Sequence, residues 1–188
     1  MNKVNLKCRL CDYKVKEIIN LGISPVANTF LDTIEDDFKQ YPLQIDFCKK
    51  CYNVQLRNCV EESYLYQNYS YMTPNIEVLN KHYLEIIHYL KNNKFIDSNT
   101  NAVEIGSNTG YLLNVLKDHV ANVIGVDPAK NIAQIANSNG NFTINEFFNS
   151  QSALKIRNKY GLQDLIIARH MFAHNTYPQE LLEGMEIL

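Results

Sequence analysis

The second half of the chain alternates short apolar runs with amphipathic segments, in the lengths typical of strands and helices. The apolar runs that predict strands lie near residues 102–106, 122–126, 142–147 and 163–168. The segments that predict helices lie between them, near residues 109–118, 129–138 and 150–158, and a further helix follows the fourth strand. This βαβαβαβ order predicts an α/β fold with a parallel sheet and right-handed crossovers.

The first half of the chain has a different pattern. Short alternating β patterns occur in the first 60 residues, among them Leu43–Phe47 and Val54–Leu56. A tyrosine-rich stretch follows, and an amphipathic helix is predicted from Ile76 to about Asn92. We therefore divide the chain into a small module at residues 1–60, a tyrosine-rich connector with its helix at 61–94, and an α/β domain at 95–188.

Composition and charge narrow the classes of function. The 188 residues allow one ordinary domain and one small one, and the chain has no run of 18 apolar residues that would span a membrane. Its first residues lack the apolar run of a secretory signal, so we expect a cytoplasmic protein. The net charge is −2 with both signs interspersed, which argues against nucleic acid as a partner.

The segment Glu104-Ile-Gly-Ser-Asn-Thr-Gly110 lies between a predicted strand and a predicted helix. In a Rossmann-like sheet such a turn presents an adenosyl cofactor, because its glycines let the backbone approach the ligand closely. A nicotinamide-binding loop would need a second glycine where Ser107 and Asn108 stand, so this loop favours S-adenosylmethionine. The loop residues expected to contact the cofactor are Glu104, Gly106, Ser107, Asn108 and Gly110.

Asp127 ends the next predicted strand, 23 residues after Glu104. In dinucleotide-binding folds, a carboxylate roughly 20 residues after the glycine-containing turn contacts the ribose hydroxyls. We therefore expect Asp127 and the adjoining Pro128 to contact the cofactor. Asp-Pro is also a common start of a helix, and the two roles are compatible. At the end of the third predicted strand, one of Phe147 and Phe148 is placed to stack on the adenine and the other to pack in the core; we assign the stacking to Phe148.

Four of the five cysteines form two pairs, Cys8-Arg-Leu-Cys11 and Cys48-Lys-Lys-Cys51. Two residues between cysteines let a tight turn direct both sulfurs at one ion, and two such turns complete a tetrahedral zinc site. Two unrelated surface pairs or redox motifs would not explain the repetition. Four thiolate ligands leave no open coordination position, so the zinc is expected to be structural. Cys59 lies outside the pattern and is predicted to be a small buried hydrophobe.

In combination, these motifs resemble the N-terminal part of the sugar C-methyltransferases, which methylate a carbon of nucleotide-linked 4-keto-deoxysugars in deoxysugar biosynthesis. The similarity extends along the whole chain. The matching stretches are the first cysteine pair with Leu21–Asn28, the second pair with Val54–Leu56, Tyr69–Tyr71, Val103–Gly110, Gly125–Pro128 with Asn131–Ala133, Phe147-Phe148, and Ala168–His174. The family usually carries Asp where this chain has Thr109.

The resemblance implies the fold, the chemistry and part of the active site. It implies a four-cysteine zinc module followed by a Rossmann-like methyltransferase domain, with a nucleotide sugar as substrate. In the family, the histidine of the matching motif, here His174, lies at the sugar, and a tyrosine of the connector faces it. That tyrosine corresponds to Tyr69 or Tyr71, whose phenol would stabilise an enolate. A neutral histidine suits the removal of a proton beside a ketone.

The family continues beyond the position of Leu188 into further strands and a C-terminal domain. We therefore expect a truncated sheet, in a chain that is either a fragment, with the remaining part carried by a separate chain, or a shortened remnant of the family. Two other classes of function stay open. One is an S-adenosylmethionine-dependent O- or N-methyltransferase, and the other is a non-catalytic protein that binds zinc and the cofactor.

Overall fold

The computed structural model describes residues 6–28, 30, 33, 39–66 and 69–188. The chain divides into two compact units. The first unit contains Met1–Leu65 and Thr176–Gln179, and the second contains Tyr66–Asn175 and Glu180–Leu188. Each unit has a sheet of its own.

The first unit is built on a three-stranded antiparallel sheet. Its strands are β1 (Val15–Pro25), β2 (Gln40–Cys48) and β3 (Val54–Leu56), adjacent in that order. A short helix, α1 (Glu62–Tyr66), follows. The two predicted β patterns are confirmed as parts of β2 and β3, whereas β1 was not predicted. Most of its side chains are exposed and do not alternate regularly with buried ones, so the sequence shows no period of two there.

An ion-pair cluster lies inside this sheet. Asp46 on β2 has no exposed surface and accepts bonds from the Arg57 guanidinium, with Nη2 at 2.6 Å from Oδ1. The same guanidinium contacts Glu17 on β1, Nη1 to Oε2 at 2.7 Å. Because a buried charge is tolerated only when it is paired, Arg57 stabilises the position of Asp46.

The second unit is an α/β layer structure with a four-stranded parallel sheet. Its helices are α2 (Glu77–Asn92), α3 (Tyr111–Leu116), α4 (Lys130–Ser138), α5 (Ser150–Tyr160) and, from Glu180 onward, α6 (Pro178–Ile187). Its strands are β4 (Asn101–Ile105), β5 (Asn122–Val126), β6 (Thr143–Ile144) and β7 (Leu165–Ile167), in the spatial order β6-β5-β4-β7. The predicted α/β fold and parallel sheet are confirmed.

Helices cover both faces of this sheet. On one face, Val103 and Ile105 of β4 belong to a buried cluster with residues from β5, α5 and α6. On the other face, Ala102 packs with Tyr83 of α2 and Leu112 of α3. Because side chains alternate along a strand, Glu104 shares the face of Ala102 and not that of the larger apolar cluster.

The predicted third strand is much shorter than expected, since only Thr143 and Ile144 pair with β5. The side-chain Nδ2 of the next residue, Asn145, donates to the carbonyls of Asp127 and Pro128, at 3.0 and 2.9 Å. Among the described residues, no helix has both the length and the apolar character needed to cross a membrane.

The order of the strands changes direction at β4, and such a change is called a topological switch point. From β4 the chain moves outward through β5 and β6, and then returns to β7 on the opposite side of β4. The loops that follow β4 and β7 therefore diverge at the carboxyl edge of the sheet, which is where open α/β sheets bind ligands.

Candidate functional site

The loop after β4 adopts a backbone that two of its glycines make possible. Gly106 and Gly110 have φ of +70° and +82°, and Asn108 between them has φ of +50°. A Cβ on Gly110 would lie 2.7 Å from the Asn141 side-chain nitrogen, and one on Gly106 would lie 3.0 Å from Met171 Cβ. Both glycines are therefore required by backbone angle and by close packing.

Asp127 is nearly buried at the end of β5, with 7% of its surface exposed. Its Oδ2 accepts the backbone N–H of Asn108 at 2.9 Å, and its Oδ1 accepts that of Ala129 at 3.0 Å. Burial raises the pKa of Asp127, and the two N–H donors partly offset that rise. Asp127 does not cap α4, since Ala129 is the cap residue and no side-chain bond caps the first turn; its bond to the Ala129 N–H fixes the corner before the helix. Each carboxylate oxygen retains a second acceptor position for a ligand hydroxyl.

Glu104 is completely buried and forms an ion pair that the sequence analysis did not predict. Arg169, just after β7, donates to its Oε1 through Nε at 3.0 Å and Nη2 at 2.6 Å. The guanidinium also lies over the Tyr83 ring, 4.7 Å from the centroid. Burial raises the pKa of Glu104 to about 7, although the neighbouring Arg169 opposes that rise.

Several buried polar atoms around this loop have no hydrogen-bond partner among the described residues. They are Glu104 Oε2, Ser107 Oγ, Thr109 Oγ1 and Asn141 Oδ1. Buried polar atoms are normally paired, so such a group around one loop indicates a place for polar ligand atoms. Together with the two glycines and the Asp127 carboxylate, these residues fit an adenosyl cofactor.

The connector tyrosines lie in the same unit as this loop. The rings of Tyr69 and Tyr71 are 6.4 Å apart in an edge-to-face arrangement. Burial raises the pKa of the Tyr69 phenol, with further contributions from Tyr71 and Asp127.

His174 ends a short 3₁₀ turn, Phe172–His174, in the loop after β7. Its side chain is exposed, and its backbone N–H donates to the Met171 carbonyl at 3.0 Å. This position is at the carboxyl edge of the sheet, as the sequence analysis expected. Its contact with a substrate stays a prediction.

Phe148 and Pro128 have different surroundings from the loop residues. Phe148 is buried in the hydrophobic cluster with Val103 and Leu181, so the structure gives it a packing role and not the expected stacking role. Phe147 is only partly buried at the same edge, and it is the better candidate for the adenine. Pro128 is partly buried after β5, and its carbonyl accepts the bond from Asn145.

The first unit brings its four predicted metal-ligating cysteines together. The sulfurs of Cys8, Cys11, Cys48 and Cys51 all lie within 4.8 Å of one another. Cys8 and Cys51 are 3.5 Å apart, as are Cys11 and Cys48. Tetrahedral zinc with Zn–S bonds of about 2.3 Å separates its sulfurs by roughly 3.8 Å, so the cluster fits one zinc ion. Cys59 lies outside it and is partly buried.

The two halves of this cluster are built by the same turn. Cys8 donates its N–H to Tyr13 and accepts from Asp12, and Cys48 donates to Asn53 and accepts from Tyr52. Asp12 and Tyr52 have φ of +57° and +62° at equivalent positions. Burial opposes ionisation of Cys48, but backbone N–H groups of its own turn lower the pKa of this thiol to about 7. These N–H groups stabilise the thiolate of Cys48, which is the form of cysteine that binds a metal.

Polar side chains hold the first turn in place. Asn53 Nδ2 lies 3.6 Å from the Cys8 sulfur and 3.3 Å from Gln55 Oε1. Gln55 also accepts the Arg9 N–H at 2.9 Å and donates to the Lys7 carbonyl at 3.0 Å. Such outer contacts orient the ligands of a metal site. The sequence analysis missed them because Asn53, just before β3, and Gln55, on β3, carry no recognisable spacing.

Two protein families match the chain. Residues 8–66 match the family described as "Putative zinc binding domain", and residues 76–186 match the family described as "Methyltransferase domain". The second match covers more than half of the chain, so this protein belongs to the methyltransferase-domain family. A zinc-binding domain followed by a methyltransferase domain is the arrangement that the sequence motifs indicated.

Among characterised proteins, the chain is similar to the C-methyltransferase NovU of Streptomyces niveus. The two are 29% identical over 185 residues, which is 97% of this chain and 44% of the relative. The chain thus spans less than half the length of that relative. The match gives no support to a separate chain that carries the remainder.

Solved structures give weaker similarities. Precorrin 8W decarboxylase of Methanobacterium thermoautotrophicum is 16% identical with a TM-score of 0.47, over 64% of this chain and 62% of its own. The YcgJ protein of Bacillus subtilis is 16% identical with a TM-score of 0.27, over 49% of this chain and 31% of its own. With such low scores, neither structure informs the function.

Proposed function

We propose that this chain is the zinc-containing, cofactor-binding part of an S-adenosylmethionine-dependent C-methyltransferase that acts on a nucleotide-linked 4-keto-deoxysugar. The observation that carries the proposal is the similarity to a C-methyltransferase along nearly the whole chain, through both the cysteine cluster and the loop after β4. The deoxysugar substrate rests on the motif resemblance, and its particular identity is left open.

The cofactor is assigned to the loops after β4 and β5. Asp127 would accept the ribose hydroxyls, and the backbone of Gly106 and Gly110 would pass close to the adenosyl group. The unpartnered Oε2 of Glu104 is a buried carboxyl oxygen that is open to a hydrogen bond with a polar atom of the ligand. When bound, the cofactor supplies an electrophilic methyl group.

The chemical step is assigned to the loop after β7 and the connector. His174 would remove the proton from the carbon beside the sugar ketone, because an imidazole is a side chain suited to general-base catalysis. Tyr69 or Tyr71 would donate a hydrogen bond to the ketone oxygen as it becomes an enolate oxygen. The deprotonated carbon would then be the nucleophile for the methyl group that the cofactor supplies, with S-adenosylhomocysteine as the leaving group.

The zinc site serves the first unit as a structural element. Its four thiolates fill the coordination sphere of a tetrahedral ion, so no position remains for substrate. The ion would join the turn at Cys8 to the turn at Cys48, which are separated by a long stretch of chain. It therefore contributes to folding and not to the methyl transfer.

A deuterium-exchange assay tests this function most directly. The chain is incubated in deuterated buffer with a nucleotide-linked 4-keto-deoxysugar, and exchange at the carbons beside the ketone is followed by proton NMR. We expect exchange that depends on the protein and falls about a hundredfold in His174→Asn. A parallel assay with a labelled methyl donor locates the methyl group in the product.

The outcomes separate the candidate classes. Methylation at oxygen or nitrogen, without exchange at carbon, would assign the chain to another class of methyltransferase. Neither exchange nor transfer, with normal binding of S-adenosylhomocysteine, would show a cofactor-binding protein that is not catalytic by itself. Tyr69→Phe and Tyr71→Phe, compared in the same assay, identify which phenol contacts the ketone.

A further inference from the structure

The segment Tyr69–Thr73 reaches the cofactor loops without secondary structure of its own. Residues 69–76 are neither helical nor in a strand. Backbone N–H and C=O groups in such a segment need partners elsewhere. Here two asparagine side chains from distant parts of the second unit provide them.

Asn131 forms a paired contact with the backbone of Tyr69. Its Nδ2 donates to the Tyr69 carbonyl at 2.9 Å, and its Oδ1 accepts the Tyr69 N–H at 3.3 Å. Asn131 lies in the first turn of α4, which begins directly after the Asp127-Pro128 corner. The amide thus joins a connector tyrosine to the element that positions the ribose carboxylate.

Asn108 makes the second contact, from within the loop after β4. Its Nδ2 donates to the Tyr71 carbonyl at 3.1 Å, and its Oδ1 accepts the Thr73 N–H at 2.8 Å. The backbone N–H of the same residue donates to Asp127 Oδ2 at 2.9 Å. Asn108 therefore contacts both the tyrosine segment and the carboxylate expected at the cofactor. Asparagine is one of the few residues that tolerate its left-handed backbone.

We propose that Asn108 and Asn131 are positioning residues that hold Tyr69 and Tyr71 against the cofactor loops. This inference rests on the proposed function, which places the tyrosines at the substrate and Asp127 at the cofactor. Because Asn108 contacts both, occupation of the cofactor site and attachment of the tyrosine segment stabilise each other, and by linkage the effect is reciprocal. The substrate side of the site is thus completed when the cofactor side is filled.

The ring contacts extend the effect of these two side chains. Tyr69 packs edge-to-face against Tyr66 at 5.4 Å and against Tyr71 at 6.4 Å. A shift of the Tyr69 backbone therefore displaces a group of three rings and not one phenol. Two asparagine contacts fix the backbone at Tyr69, Tyr71 and Thr73, which constrains the direction in which both catalytic candidates point.

The test compares Asn131→Ala with Asn137→Ala in the full chain. Asn137 lies on the same helix, and its side chain bonds to the Ala133 and Thr143 backbone, away from the tyrosine segment. It is a matched control for general loss of stability. Amide hydrogen exchange of the Tyr69 and Thr73 N–H groups is measured by NMR, with and without S-adenosylhomocysteine.

In the wild type we expect the cofactor product to slow exchange at both amides. In Asn131→Ala, exchange at Tyr69 should be about tenfold faster, as expected for the loss of two hydrogen bonds. The slowing caused by S-adenosylhomocysteine should shrink, and its affinity should fall a few-fold. In Asn137→Ala both effects should stay near those of the wild type. In the methyl-transfer assay, Asn131→Ala should lower kcat more than it changes the KM for the cofactor.

Equal exchange at Tyr69 in the wild type and Asn131→Ala would overturn the inference, whatever the ligand does. If S-adenosylhomocysteine binds the wild type but leaves both amides unchanged, the coupling is wrong while the proposed function stands. If that ligand does not bind at all, the proposed function fails, and exchange in the free chain still decides whether the two asparagines hold the segment.

Discussion

Replacement of Glu104 with glutamine tests the electrostatics beneath the cofactor loop. The carboxylate is fully buried, with Arg169 on one oxygen and no partner on the other among the described residues. The charged groups that act on it are Arg169 after β7 and Asp127 after β5, and the Arg169 guanidinium also lies over the Tyr83 ring of α2. Burial raises the pKa of Glu104 from 4.5 to about 7, although Arg169 opposes the rise.

The direction in which the free energy of unfolding changes with pH follows from the raised pKa of Glu104. Between pH 4.5 and about 7 the folded chain holds a proton on Glu104 that the unfolded chain has released. Stability from this group is therefore fully present below pH 4.5 and is lost as the pH rises through about 7. Each pH unit of that interval changes the free energy of unfolding by about 1.4 kcal/mol, so the total change is about 3 kcal/mol.

Glutamine keeps the shape of the side chain but cannot titrate, so Glu104→Gln should lack this dependence. The difference in unfolding free energy, variant minus wild type, should rise by about 3 kcal/mol from about pH 5 to about pH 8. Unpaired Arg169 adds a constant offset, because its guanidinium stays charged throughout. Urea unfolding followed by the helical circular dichroism reports on the second unit, which contains α2–α6.

Zinc is held in constant excess in both proteins, so that metal binding by the first unit cancels in the comparison. Parallel stability curves for the two proteins would refute the reasoning, since they would mean that Glu104 titrates in the folded chain as it does in the unfolded one. A difference that fell with rising pH would mean that Arg169 outweighs burial.

Three further predictions concern the metal, the loop and the first sheet. Cys51→Ser should reduce bound zinc from about one per chain and destabilise the first unit, measured by elemental analysis and thermal unfolding. Gly110→Ala should lower the free energy of unfolding more than Gly140→Ala, since both have positive φ but only Gly110 is crowded. Arg57→Met should cost about 3–5 kcal/mol in urea unfolding because buried Asp46 loses its partner, and little loss would mean that the ion pair does not stabilise the sheet.

Features encoded by short sequence spacing were predictable. The turn between β4 and α3, the acidic end of β5 and the paired cysteines each depend on residues close together in the chain. The hydrophobic period likewise predicted the parallel sheet, because β4 and β5 are buried between helices. Each of these features is caused by residues that are close together in the chain, so the sequence pattern alone predicts it.

Contacts between distant residues were not predictable. Arg169 meets Glu104 across 65 residues, and Asn131 meets Tyr69 across 62. Neither arginine nor asparagine has a spacing that identifies its partner. Phe148 is a similar case. It has an identical neighbour, so the sequence does not show which of the two phenylalanines packs in the core, and only the folded structure does. β1 was missed because its exposed side chains do not alternate.

The central claim is that the loops after β4 and β5 bind S-adenosylmethionine, and calorimetric titration with S-adenosylhomocysteine tests it most directly. We expect one site per chain, with affinity reduced about tenfold or more in Asp127→Ala, because the diol loses its buried acceptor. Asp97→Ala is the control, since that carboxylate also accepts a backbone N–H but lies before β4. No binding by the wild type, or equal binding by Asp127→Ala, would contradict the account.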